Sequence, residues 1–582
     1  MFIRTLKIKS TVRAKTKTGL VSFCAFTIFF VIGWKFGISP IKESLETAST
    51  NARFVKQQLF GLPQVNIPSN YISENQYDTD ILHYDLSFDL YPEKKLLIGK
   101  AVITGTFKDS HLHTLDLNLY DNMKVSYLIL NREKVPYLHE GTRLSISFKN
   151  EISDTFIVEI HYEGKPKRMG LSSFVFNEIN GRSVIYNLSE PTFASTWYPC
   201  NDIPDDKALA DIHITNDSIY TSVSNGVLID EDLIDGRKTT HWKILYPIST
   251  YLISLYSSEY VNFQDYYYSN ITNDSLPLEY YVFPEHYENA KKDFEEHPQW
   301  MEFFSKAFGE YPFMKEKYGV AEFLWQLGAM EHQTITGIGS NFVSGRKFFM
   351  DIYVHELAHH WWGNAVGPKS WRDIWLNEGF ATYSEALYDE HLAGSDALKS
   401  TMLSKYQDNF TGRLYDPGDD LFSQTIYDKG AWVLHMLRWE VGDSSFFKIL
   451  RDYFEKYKYR SASTNDFKNV CEEVSDKNLE KFFDQWVYEG DDQIMVNLRW
   501  KIESRKNDNV IVRIDFVQLQ DRYKEFHFTV ELQFIDKNGK HENTLFYIDE
   551  REETLYHELK FVPKNVIADP NHWLLAEIAV SQ

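Results

Sequence analysis

The sequence predicts a multidomain α/β protein. An all-β unit spans residues 76–265, a mixed, mostly helical unit spans 266–493, and a β-sandwich spans 494–582; an amino-terminal transmembrane helix precedes them. Three observations predict this. Apolar residues alternate with period two in the first and last units. Between these units they recur at helical spacing. Near the start lies an uncharged apolar run. At 582 residues the chain has length for about three to five folded units. Apolar residues at 43%, with aromatics at 16%, exclude a disordered chain.

The apolar run, Leu20–Trp34, follows Arg4, Lys7, Lys9, Arg13, Lys15 and Lys17. If Lys35 snorkels to the interface, the hydrophobic stretch extends to Ile38, near the roughly 20 residues of a spanning helix. No A-x-A cleavage site follows, so 1–38 is expected to be an uncleaved signal anchor. The positive-inside rule then leaves 1–17 in the cytoplasm and puts the rest beyond the membrane, in the cell envelope or periplasm. Cleavage would make the protein secreted. Residues 39–75 are polar, lack a sustained period and read as a stalk.

In the first β unit, Tyr84, Leu86, Phe88 and Leu90 alternate with Asp85, Ser87 and Asp89, the pattern of a half-buried strand. The stretches 101–107, 183–188 and 239–246 read likewise. Helical patterns cover 286–309, 348–362, 373–392, 428–441 and 444–458, with a strand at 318–323. Strands return at 510–519 and 526–536, and Asn538-Gly539 is expected to form a two-residue hairpin turn. The net charge is −22; the seven cations of 1–38, with no acid among them, leave −29 on the remainder. So acidic a body repels phosphate backbones and argues against nucleic-acid binding. Cys24, Cys200 and Cys471 suggest no structural disulfide. Five N-x-S/T sequons, at Asn187, Asn216, Asn270, Asn273 and Asn409, decide nothing in a chain of this size.

The chemistry is concentrated at His355-Glu356-Leu357-Ala358-His359. A chain with 19 histidines expects only ~0.04 H-E-x-x-H matches by chance. On a helix, His355 and His359 lie one turn apart on one face and can both reach a single zinc ion. Glu356 beside them can take a proton from water at that metal. A catalytic zinc takes a third protein ligand, and Glu378 follows His359 after eighteen intervening residues. Asp373 is the expected N-cap of the helix bearing Glu378. Glu385, seven residues further on the same face, could hydrogen-bond a ligating histidine, or could equally be an ordinary surface acid.

The His355–His359 motif, the eighteen-residue gap and Asn377-Glu378-Gly379-Phe380-Ala381 resemble the zinc aminopeptidases of the aminopeptidase N and leukotriene hydrolase family. Further blocks occur in the family's order. Gly328-Ala329-Met330-Glu331-His332 is similar to G-A-M-E-N, and Tyr427-Asp428-Lys429-Gly430 to Y-x-K-G. Ser189-Glu190-Pro191 with Trp197–Asp202 resembles a first-domain segment. The resemblance covers about residues 76–580. It implies a thermolysin-like catalytic domain that binds one zinc through His355, His359 and Glu378, with Glu356 as general base. It further implies that Tyr427 donates to the oxyanion and that Glu331 and Glu190 bind the substrate's free α-amine. Gly328, Ala329 and Met330 would line the substrate's path. The implied function is hydrolysis of the amino-terminal bond of peptides that carry a free amino terminus.

Two positions depart from the family pattern. His332 replaces Asn, which changes the local hydrogen bonding, and Leu188 stands where Gln is frequent, which removes a polar contact. With few residues after Trp573, the large helical domain of many relatives is not expected. Epoxide hydrolysis, endopeptidase activity and an inactive membrane-tethered peptide-binding protein are the rival readings. The amine-binding Glu331 disfavours the endopeptidase, and the complete set of ligands, base and tyrosine disfavours the inactive protein. Gly337-Ile338-Gly339 lacks the third glycine of a dinucleotide loop.

Overall fold

The computed structural model describes residues 65–582 except 109–111, 150, 153, 409 and 507–508. The expected anchor at 1–38, with Leu20–Trp34, and most of the expected stalk lie outside the described residues. Among the described residues no helix is long and apolar enough to cross a membrane. The end of the expected stalk is packed rather than free. Val65 and Tyr71 are buried, and the Tyr71 hydroxyl donates to Asp202 at 2.6 Å.

The first domain of the described residues is a β domain. The strand Thr79–Tyr91 pairs antiparallel with Leu96–Phe107 and parallel with Ala208–Asp217, at the centre of a seven-stranded sheet. Tyr84, Leu86, Phe88 and Leu90 are buried on its inner face, as their alternation predicts. A four-stranded sheet follows, in which Arg182–Leu188 pairs with Ser173–Ile179 and Tyr256–Ser258. Arg182–Leu188 leads directly to Glu190. Two of the sequons, Asn187 and Asn216, are buried in this domain.

A five-stranded sheet links the β domain to the helices, in the order Val261–Tyr268, Ser275–Val282, Tyr318–Phe323, Ile335–Gly339, Ala329–Met330. Its first strand runs across the expected 265/266 junction. Its last strand, Ala329–Met330, pairs on one side only, with Gly337 and Ile338. Gly337 and Gly339 serve close packing: a Cβ at Gly337 would overlap the Tyr256 hydroxyl, and one at Gly339 the Trp325 carbonyl.

The helices differ from expectation in three places. The helical stretch 286–309 is broken into Tyr287–Asp293 and His297–Phe308. Asp293 turns its carboxylate to the backbone N–H groups of Ser344, Gly345 and Lys347, and Pro298 restarts the helix in its first turn. The helix of the H-E-x-x-H motif is Met350–Ala358, shorter than 348–362, with His359 at its C-cap. The His359 N–H still donates to the His355 carbonyl at 3.2 Å, so both rings remain on one face. Asp373 does not cap the helix Trp375–Ala393. Its carboxylate accepts from the backbone N–H and hydroxyl of Thr464 at 2.8 and 2.9 Å, tying together two helix starts.

Ile494–Ser581 forms two sheets of four and three strands. The hairpin holding Asn538-Gly539 has a five-residue loop, Asp536–Lys540, rather than a two-residue turn. The Asp536 carboxylate accepts the N–H groups of Asn538 and Lys540 and so widens it. This unit is docked on the helix Gly430–Val441. Trp573 stacks on His435 at 4.5 Å and on Trp439 at 5.5 Å, and the His572 carbonyl lies 3.2 Å from the His435 ring. Cys200 and Cys471 are buried and free.

Candidate metal centre and substrate cleft

Two helices and one turn bring the candidate residues together. His355 and Glu356 lie in the last turn of Met350–Ala358, and His359 caps it. Glu378 lies in the first turn of Trp375–Ala393. Tyr427 lies in a π-helical turn, Thr425–Lys429, that runs into Gly430–Val441; such turns recur at functional sites. Gly379 and Gly430 set the spacing: a Cβ on Gly379 would sit 2.9 Å from the Gly430 Cα, and the reverse contact is also 2.9 Å. Only glycine lets the two backbones approach so closely, bringing the Glu378 helix and the Tyr427 turn side by side. Trp361, Trp362 and Trp375, each fully buried, wall the helices in.

His355 Nε2 and His359 Nε2 are 3.0 Å apart, and the Glu378 carboxylate lies 3.4 and 3.3 Å from them. Among the described residues this is the group of three such side chains close enough to share a metal ion. The other ring nitrogens are committed. His355 Nδ1 meets Glu385 at 2.7 Å, and His359 Nδ1 meets the Trp362 carbonyl at 2.9 Å. Both partners accept, so each Nδ1 carries the proton and each Nε2 presents a lone pair. Two lone pairs and a carboxylate oxygen converging at this distance fit a cation, and the two-nitrogen, one-oxygen set is that of a catalytic zinc. Burial opposes ionisation of Glu378, but positive charge on His359 and His355, where the rings are protonated, outweighs it and holds its carboxyl down at about 2.

Around this set stand carboxylates that lack partners of their own. Glu356, Glu331 and Glu190 are 7%, 4% and 4% exposed, and each has a buried oxygen without a hydrogen bond. Burial pushes Glu356 up to about 8; Glu331 and Glu378 add to the shift, and His355 and His359 oppose it. Glu190 is raised by burial and then by Glu331, Glu378 and Glu356, so the β domain contributes a carboxylate to the same cluster. Such a group of unpaired buried acids suits a cationic ligand. The Tyr427 ring lies 6.0 Å from that of His355. Burial, reinforced by Glu378, Glu190, Glu331 and Glu356, raises its hydroxyl far above the usual range and keeps it a donor.

Gly328, Ala329 and Met330 lead into Glu331; Ala329–Met330 is the edge strand of the five-stranded sheet, with Gly328 and Met330 buried and Ala329 half-buried. The two departures from the family pattern take definite places. The His332 Nδ1 lies 2.5 Å from the Tyr256 hydroxyl, and its Nε2 is 3.4 Å from the Asn187 side chain. Leu188 is fully buried. Sequence reasoning left out Asn364, whose side-chain amide donates to the Glu331 carbonyl at 2.8 Å. It also left out Lys405 and the buried Tyr251. No motif spacing marks these residues; only the fold brings them to the site. Glu385, which could equally have been a surface acid, is a partner of His355.

The Peptidase family M1 domain model matches residues 292–486, and the Peptidase M1 N-terminal domain model matches residues 81–252. The chain is 29% identical over 332 residues to glutamyl aminopeptidase of Homo sapiens, which covers 53% of this chain and 34% of that protein. It is 28% identical to leucine aminopeptidase 2 of Yarrowia lipolytica, with 56% of this chain and 52% of that protein covered. The chain therefore spans about a third to a half of these curated relatives. In fold it is similar to aminopeptidase A of Legionella pneumophila, solved with aspartic acid. The TM-score is 0.78 at 20% identity, covering 89% of this chain and 61% of that one. An M1 zinc metallopeptidase mutant of Deinococcus radiodurans, solved with a Tyr-Ser-Ala substrate, aligns with a TM-score of 0.63 at 24% identity, covering 72% and 96%.

Proposed function

The chain belongs to peptidase family M1, and from that membership we propose that it is a zinc-dependent aminopeptidase acting on peptides with a free amino terminus. The observation that carries this reading is the convergence of His355, His359 and Glu378 next to the buried, unpartnered carboxylates of Glu331 and Glu190. His355, His359 and Glu378 would hold one zinc ion, which when bound supplies a Lewis acid and lowers the pKa of a water.

The chain's own residues supply the rest. Glu331 and Glu190 accept hydrogen bonds from the substrate's α-ammonium and offset its charge, which fixes the register to the first residue. The unpaired edge of Ala329–Met330 offers backbone groups to an extended peptide, and the small Gly328 and Ala329 leave room for it. Glu356 takes a proton from the attacking water and delivers it to the leaving nitrogen. The Tyr427 hydroxyl donates to the carbonyl oxygen as negative charge develops there. Purified protein is expected to hydrolyse aminoacyl-arylamides, to lose activity on chelation and to regain it with one zinc per chain. A zinc-loaded preparation inactive across a panel of amino-acid side chains would sink the reading.

The sequence also supports an anchored location. We assign residues 1–38 to a signal anchor that leaves the folded body beyond the membrane. Full-length protein should then sediment with membranes and be released by detergent, whereas protein lacking 1–38 should not sediment. Equal distribution of the two forms would overturn this assignment.

A further inference from the structure

A chain of little-exposed charges runs from the candidate metal centre through Glu385 to Lys405. His355 Nδ1 is 2.7 Å from one oxygen of Glu385, and the other oxygen of Glu385 accepts from Lys405 Nζ, also at 2.7 Å. The three side chains are only 13–14% exposed. Lys405 stands at the C-cap of the helix Ser395–Ser404, 27 residues beyond Glu378, in a segment that no motif marks. It also feels two further carboxylates, Asp428 and Asp351. Asp351 lies in the first turn of the helix that bears His355. Asp428 follows Tyr427 in the π-helical turn and is held by the side-chain amides of Gln424 and Gln407.

Without a cation at Lys405, the little-exposed carboxylates of Glu385 and Asp428 would lose the positive charge between them, with the exposed Asp351 adding to the repulsion. Glu385 would then be driven away from Asp351 and Asp428, and with it the acceptor that aims the His355 ring. Building on the zinc aminopeptidase reading, we propose that Lys405 is a positioning residue: it fixes Glu385 so that His355 presents Nε2 to the metal. The lysine touches neither metal nor substrate and acts through Glu385. A partner that orients a ligating histidine is worth about 10–100-fold in metal affinity.

The test is the zinc dissociation constant of the full chain, measured by competition with a chromogenic chelator. Lys405→Met is expected to weaken zinc binding about 10–100-fold, while Lys405→Arg, which keeps a cation within reach, should stay within about threefold of the parent. Since the lysine acts through Glu385, adding Lys405→Met to Glu385→Gln should cost less than about twofold more. Zinc binding by Lys405→Met as tight as the parent's overturns the proposal. So does a full loss that persists in the Glu385→Gln background. If Lys405→Met alone does not fold, the comparison of Glu385→Gln with and without it decides: under twofold supports the proposal, and tenfold overturns it. A parent protein that binds no zinc removes the aminopeptidase reading itself, whereas a zinc-binding parent with an unaffected Lys405→Met removes only the role of Lys405.

Discussion

Replacing Glu356 with Gln should lower kcat by about 10²- to 10⁴-fold, the usual contribution of a positioned general base, while zinc content stays at one per chain. The separation of the two effects follows from the geometry. His355, His359 and Glu378 converge without help from Glu356, whose buried carboxylate keeps one oxygen unpartnered. Gln has nearly the same shape but cannot take a proton. Burial together with Glu331 and Glu378 keeps the proton affinity of the Glu356 carboxyl well above that of an ordinary glutamate, which suits a group that must both accept and return a proton. The measurement is kcat on an aminoacyl-arylamide alongside metal content by atomic absorption. Turnover within threefold of the parent would remove Glu356 as the base, and loss of zinc together with turnover would make it a structural residue.

The second large effect concerns Glu331. Glu331→Gln should lower kcat/KM on free-amine substrates by about 10²- to 10⁴-fold, the scale of breaking a buried charge pair, ~3–5 kcal/mol. The preference for a free over an acetylated amino terminus should fall with it. The Glu331 side chain has a buried oxygen with no partner in the protein, while Asn364 holds its backbone carbonyl. Position and charge are therefore set independently, and the substitution removes charge alone. Glu190 remains as a second carboxylate, so some preference for the ammonium should persist. An unchanged ratio of free to acetylated substrates would take Glu331 out of amine recognition.

The two variants also separate the rival readings. An inactive peptide-binding protein predicts no turnover for either to reduce. An endopeptidase predicts that Glu331→Gln is silent on substrates with blocked amino termini and nearly so on free ones.

Much of the site was legible because its chemistry is local in the chain. The histidines of H-E-x-x-H share a face through helical spacing alone, and Glu378 was reached through a motif at a fixed distance. Glu385 stood between two readings, since position seven on a helix face says nothing about what packs there; the 2.7 Å contact with His355 decides it. Asp373 shows the opposite error. Local sequence favours it as a helix cap, but the buried Thr464 of a distant helix competes for its carboxylate and wins. The helix at 286–309 broke for a like reason, because Asp293 is claimed by the backbone of 344–347.

The sequence by itself marked the β, mixed α/β and β order of the described residues and the H-E-x-x-H face, while the roles of Glu378 as third ligand and Glu356 as base rest on the family resemblance. Periodicity and short-range spacing carry that order and that face, and both follow from the geometry of a single helix or strand. The apolar run at 20–34 and the basic residues before it likewise belong to sequence reading alone. Tertiary structure decided what depends on residues far apart in the chain. It set Glu190 of the β domain against Glu331 and Glu378, and it bonded His332, which replaces the family's Asn, to Tyr256. It also let Gly379 and Gly430 meet backbone to backbone and linked Lys405 to His355 through Glu385. Burial is the physical reason: a carboxylate or lysine acquires a role when the fold withdraws it from water beside a particular partner, and one-dimensional spacing does not encode which partner that is.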